Sequence, residues 1–126
     1  MKEKGLQLPK AEQFILQQQL IKFSERAGRS ITLNKLIDDW RYFVAEVERG
    51  YSWDTYEYDN DLVWRDLLQA VLDLDLPTLT DQLNKLLLPW DERFRAATYE
   101  QPMLIDDAPA SDRWWQRRTP RIKIKD

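Results

Sequence analysis

The chain is 126 residues long, 43% hydrophobic and 33% charged, with no cysteine and no histidine. That length is enough for one domain with its own apolar core. The composition excludes disulfides, thiolate metal sites, the imidazole proton shuttle and the Ser-His and Cys-His nucleophile systems. Only three glycines argue against a β-rich fold with many tight turns, and against a phosphate-cradling loop.

The net charge of −3 hides a segregation along the chain. Residues 1–37 hold seven basic and three acidic side chains, net +4, whereas residues 38–76 hold three basic and eleven acidic, net −8. Residues 77–112 are net −4, with three basic and seven acidic side chains, and residues 113–126 are net +5, with six basic and one acidic. An acidic middle and a basic tail therefore share one small chain.

Residues 1–8 read as a flexible N-terminus. Pro9 can open a helix, and residues 11–27 follow it with a narrow apolar stripe, Leu16, Leu20, Phe23 and Ala27. Gly28 is a helix stop. After a short turn, Leu33, Leu36, Ile37, Trp40, Phe43, Val44 and Val47 keep one face of a 3.6-residue period, the clearest helix in the sequence. Thr32 is its expected cap and Gly50 its expected end. The short turn predicts that these two helices lie as antiparallel neighbours.

The next stretch interleaves Tyr51, Trp53, Tyr56 and Tyr58 with Asp54, Glu57, Asp59 and Asp61, and contains no aliphatic residue. A third helix is predicted over residues 60–74, with Trp64, Leu67, Leu68 and Val71 inward and acids at its N-terminal end, where the helix dipole favours them. Pro77 breaks the chain, and Thr78 is the expected cap of a fourth helix. Leu79, Leu83, Leu86, Trp90, Phe94 and Ala97 hold one face through Pro89, which predicts a kinked helix rather than two short ones. Beyond Thr98 the pattern fails. Pro102, Pro109 and Pro120 punctuate a tail with two apolar points, Met103-Leu104-Ile105 and Trp114-Trp115.

The predicted architecture is all-α: a compact four-helix domain over residues 9–98 and an irregular, proline-containing C-terminal extension over residues 99–126, docked on the body. Attraction between exposed charges is weak, about 0–1 kcal/mol per pair, so apolar burial must hold the extension in place. No apolar run follows Met1 and no stretch approaches the roughly 20 apolar residues of a membrane helix, so neither a secretory signal nor a membrane span is expected. Together with the absence of cysteine, this predicts a cytoplasmic protein.

Three regions are candidates for function. Asp54, Glu57 and Asp61 would share a helical face and suit a hard cation, but the run lacks the glycine and spacing of a calcium loop, so no metal and no cofactor is expected. The tail offers Arg113, Trp114, Trp115, Arg117, Arg118, Arg121, Lys123 and Lys125, a mixture of cations and rings that can bind phosphates and stack on bases. The acidic aromatic stretch, Tyr51, Trp53, Asp54, Tyr56, Glu57, Tyr58, Asp59 and Asp61, is the favoured site. Its rings give contact area at low entropy cost, and its acids steer a basic partner. In general character the chain is similar to the small acidic helical immunity proteins that block bacterial nuclease toxins. The likeness is one of composition, with no motif from which to carry residue roles. The expected function is non-enzymatic binding of a basic protein, and the alternative is association with nucleic acid through the tail.

Overall fold

The computed structural model describes residues 6–52, 61–100 and 114–124. Four helices stand among them: α1 (Lys10–Ala27), α2 (Leu33–Arg49), α3 (Val63–Leu72) and α4 (Pro77–Ala97). Short strands complete the described parts. β1 (Tyr51–Ser52) pairs in parallel with β4 (Lys123–Ile124), and β2 (Thr98–Glu100) pairs antiparallel with β3 (Arg118–Pro120). The fold is all-α, a compact four-helix domain, as the periodicity predicts.

α2 lies at the centre. All seven residues of its predicted apolar face are buried, and the Thr32 hydroxyl accepts a hydrogen bond from the Lys35 N–H at 3.1 Å. The closest helix pairings are α2 with α3, α2 with α4 and α3 with α4. α1, expected beside α2, is not among them and reaches the core through Leu16, Leu20 and Phe23. Gly28 adopts the left-handed conformation that ends this helix (φ 69°), and its N–H returns to the Ser24 carbonyl. Ala27 is exposed rather than part of the stripe.

α4 is a single helix through Pro89. The proline leaves the Lys85 carbonyl without its helical donor, but both residues are exposed, so water reaches the freed carbonyl. The inward face differs from the predicted one: Leu87 and Asp91 are buried, while Leu86 and Trp90 lie at the border. Both registers begin at Leu79 and Leu83. Asp91 decides between them, because buried donors from α2 and α3 meet it there.

Both ends of α4 are capped from elsewhere in the chain. The expected cap at Thr78 is replaced by Glu12 of α1, whose carboxylate accepts the N–H groups of Thr78 at 3.2 Å and Leu79 at 2.7 Å. Pro77 occupies the first turn, where its missing N–H costs nothing. At the other end all four terminal carbonyls have partners. The Phe94 carbonyl accepts the Thr98 hydroxyl at 2.7 Å, and that of Arg95 accepts the Thr98 N–H and Arg118 Nη2. The Ala96 carbonyl accepts Arg121 Nε at 3.2 Å, and the Ala97 carbonyl accepts the Arg121 backbone N–H at 3.0 Å. Carboxylate at the N-terminus and guanidinium at the C-terminus both match the helix dipole.

Removing the Glu12 carboxylate leaves two N–H groups of a buried helix end without acceptors. Glu12→Ala is therefore expected to lower stability by about 1–2 kcal/mol, as cap deletions do, with Glu12→Gln losing less. Chemical denaturation checks this: a midpoint equal to that of wild type would show that the cap carries no energy.

Candidate functional site

The most enclosed cluster of charge joins three helices. Asp91 Oδ1 accepts Trp40 Nε1 and Arg65 Nε, each at 3.0 Å, and Asp91 Oδ2 accepts Arg65 Nη2 at 2.9 Å. Arg65 Nη1 reaches Gln69 Oε1 at 3.2 Å. The Arg65 and Asp91 side chains are only 5% and 10% exposed, so the pair is shut away from any substrate. A carboxylate held by a bidentate guanidinium and an indole N–H has its charge balanced and its position fixed. This arrangement does structural work. Sequence reasoning missed it, although Asp91 extends the stripe Leu79, Leu83, Leu87 by another four residues. An acid inside an apolar stripe is a legible sign of a buried partner.

The tail residues are divided. Trp115 is fully buried, donates Nε1 to Asp66 Oδ1 at 2.7 Å and has Arg65 over its ring at 4.4 Å. Half-buried Trp114 meets the Phe94 and Trp115 rings, and Arg95 lies over it at 3.8 Å. Gln116 donates to both oxygens of Asp66, at 2.9 and 3.0 Å. Arg118 donates Nε to Thr98 Oγ1 at 2.7 Å and Nη2 to the Arg95 and Thr98 carbonyls. Trp115 and Gln116 thus meet Asp66 through N–H donors, while Arg118 and Arg121 meet the carbonyl end of α4. Arg117 and Lys123 lie in the 3-10 turn Trp114–Arg117 and in β4. Arg113 and Lys125, like the Met103-Leu104-Ile105 point, fall outside the described residues.

Of the acidic aromatic stretch, Trp53, Asp54, Tyr56, Glu57, Tyr58 and Asp59 also fall outside the described residues. Its two ends are described. Tyr51 pairs with Lys123 through the backbone, which brings the start of the stretch beside the tail. Asp61 lies close enough to Glu46 of α2 to act on its charge. The Glu46 carboxyl is held above its ordinary range, first by partial burial and then by the Asp61 charge, with Arg49 opposing. Two acids from separate parts of the chain therefore share one locus at the end of α2. The nearby Glu48 carboxyl is pushed the other way, chiefly by its hydrogen bonds from Arg93.

A cleft of about 300 Å³ lies between the ends of α2 and α4 and the tail, lined by Val47, Ala97 and Ile122 with Glu48, Arg93 and Arg121. Glu48 and Arg93 are paired with each other, and Arg121 Nε is bonded to the Ala96 carbonyl. Among the described residues no group of three or more acids could hold a metal ion, and no helix is long and apolar enough to cross a membrane. Comparison with protein-family models, curated proteins and solved structures finds no match to this chain.

Two outcomes test this electrostatic layout. Arg65→Met leaves Asp91 buried without its cation and should cost about 3–5 kcal/mol in denaturant unfolding, while adding Asp91→Leu should recover much of that loss. Equal losses in the single and double variants would mean that the pair is not the energetic unit. For Glu46, a raised folded-state pKa means that its ionisation opposes folding. The penalty is absent below the ordinary carboxylate range and grows as pH rises through that range to the folded value. Glu46→Gln should accordingly raise the Tm at about pH 7 and leave it unchanged at about pH 3. A lower Tm at neutral pH would contradict the sign.

Proposed function

We propose that this chain is a non-enzymatic, cytoplasmic binding module that presents residues 51–61, together with Glu46, to a basic protein. The observation that carries the reading is the concentration of acid in residues 38–76, net −8, with Glu46 set beside Asp61. Trp115 and Gln116 reach Asp66 with neutral donors, and Arg118 and Arg121 serve the carbonyl end of α4. The docked tail thus engages Arg118 and Arg121 on α4 and Thr98. The nearness of Glu46 and Asp61 supports the same locus. Small acidic helical immunity proteins, which this chain is similar to in composition, block nuclease toxins by binding. Nucleic-acid binding through the tail has less support, because Trp115 is enclosed and Arg118 is engaged with backbone and Thr98.

The test uses point changes, since removing residues 113–126 would also remove a buried tryptophan and the cap of α4. Wild type and a variant with Asp54→Asn, Glu57→Gln, Asp59→Asn and Asp61→Asn are compared by affinity capture, mass spectrometry and calorimetry of the captured protein. The expected result is a basic partner bound by wild type, with affinity that falls steeply in salt and by about tenfold or more in the variant. Tight, salt-sensitive binding of RNA or DNA that disappears in Lys123→Glu/Lys125→Glu would reverse the assignment.

A further inference from the structure

The outer face of α1 carries two large apolar side chains that the domain itself does not cover. Phe14 is 65% exposed and Ile21 is 49% exposed, and they lie seven residues apart on one side of the helix. Between them stand Gln17 and Gln18, both exposed, and the face ends in Lys10 and Glu25, also exposed. Neither Lys10 nor Glu25 forms an ion pair among the described residues.

Beside this stripe is a cleft of about 220 Å³, walled on the helix by Gln17, Leu20, Ile21 and Ser24 and on the far side by residues 30–32. Those four helical positions have the spacing i, i+3, i+4, i+7. Leu20, buried, and Ser24, whose Oγ accepts the Ile31 N–H at 2.8 Å, form the floor against that turn, and exposed Gln17 and Ile21 form the open rim where a side chain of a facing helix can enter. The helix carrying the cleft also carries a side chain to enter it, because the Phe14 ring projects one turn before it. Ring and cleft on one surface make it self-complementary under a two-fold axis.

The position of that axis follows from the spacing. An antiparallel pairing centred between Gln17 and Gln18 sets Phe14 of one copy against Ile21 and the cleft of the other. The same centring sets Lys10 of each copy opposite Glu25 of its partner, and the glutamines opposite each other. Two features agree on one register: the apolar pair with the cleft beside it, and the end charges.

We propose that the outer face of α1 is a homodimer interface, in which a second copy of this chain packs antiparallel and inserts Phe14 into the cleft beside Ile21. The surface shares no residue with the acidic locus of Glu46 and residues 51–61, so the dimer presents two copies of that locus. One helix pair is a small interface, at the lower end of specific contacts. The association is therefore weak and concentration-dependent.

The experiment is sedimentation velocity of the full chain from low to high micromolar concentration. Wild type is expected to move from 15.2 kDa toward twice that mass as concentration rises. Phe14→Glu should stay monomeric with an unchanged Tm, since the ring is mostly in solvent in the single copy. Lys10→Glu places like charges at both ends of the pairing and should weaken association about tenfold, while Lys10→Glu/Glu25→Lys should restore it. A monomer at every concentration overturns the proposal. So does a dimer indifferent to Phe14→Glu, or a double variant as weak as Lys10→Glu alone.

Discussion

The contact on which the rest of the domain depends is the Asp91 carboxylate of α4, held by Arg65 from α3 and Trp40 from α2. A carboxylate this far from water is tolerable only with its charge opposed and its lone pairs occupied. Meeting both conditions requires three helices to sit at one height and one rotation. A turn of α4 that put Leu86 and Trp90 inward would carry Asp91 away from both of its donors. The same contact orients the indole of Trp40, whose ring lies against Phe43 and Phe94 at 5.7 and 5.0 Å. Polar specification and aromatic packing thus meet in one side chain.

α4 serves as the frame for the more distant parts. Its N-terminal amides bind Glu12 and so attach α1, while its C-terminal carbonyls bind Arg118 and Arg121 and so attach the tail. Each attachment satisfies groups that a helix leaves open by construction, and each has the sign that the helix dipole favours. This explains how α1 belongs to the fold without a close helix pairing. It also explains why Arg118 and Arg121 of the basic tail meet a surface of carbonyls.

Arginine and tryptophan form the other recurring contact. Arg29 lies over Trp64, Arg41 and Arg93 over Trp90, Arg95 over Trp114 and Arg65 over Trp115. A guanidinium is weakly hydrated and flat, so it covers a ring at an edge of the core while keeping its N–H groups for other acceptors. Arg65 does both, lying over the Trp115 ring at 4.4 Å with its fork on Asp91. Through that residue the docking of the tail and the register of α3 against α4 become linked.

The sequence by itself determined the all-α class, the whole apolar face of α2, its Thr32 cap and the course of α4 through Pro89. These follow from periodicity and local capping, which depend on residues within a few positions of one another. Tertiary structure alone decided the inward register of α4, the burial of Glu12, Arg65 and Asp91, and the landing place of the tail. Those features join residues far apart in the chain, and the energy of each depends on a partner that local sequence does not name. Glu12 reads as an ordinary first-turn acid until the amides of Thr78 and Leu79 are beside it. Arg118 and Arg121 read as part of a basic tract until the carbonyls of α4 are. The acidic aromatic stretch was legible as a run of unusual composition, because composition needs no partner to be seen. The self-complementary face of α1 was not legible, because a projecting ring and a cleft are shapes, and shape exists only once the helix and the 30–32 turn stand together.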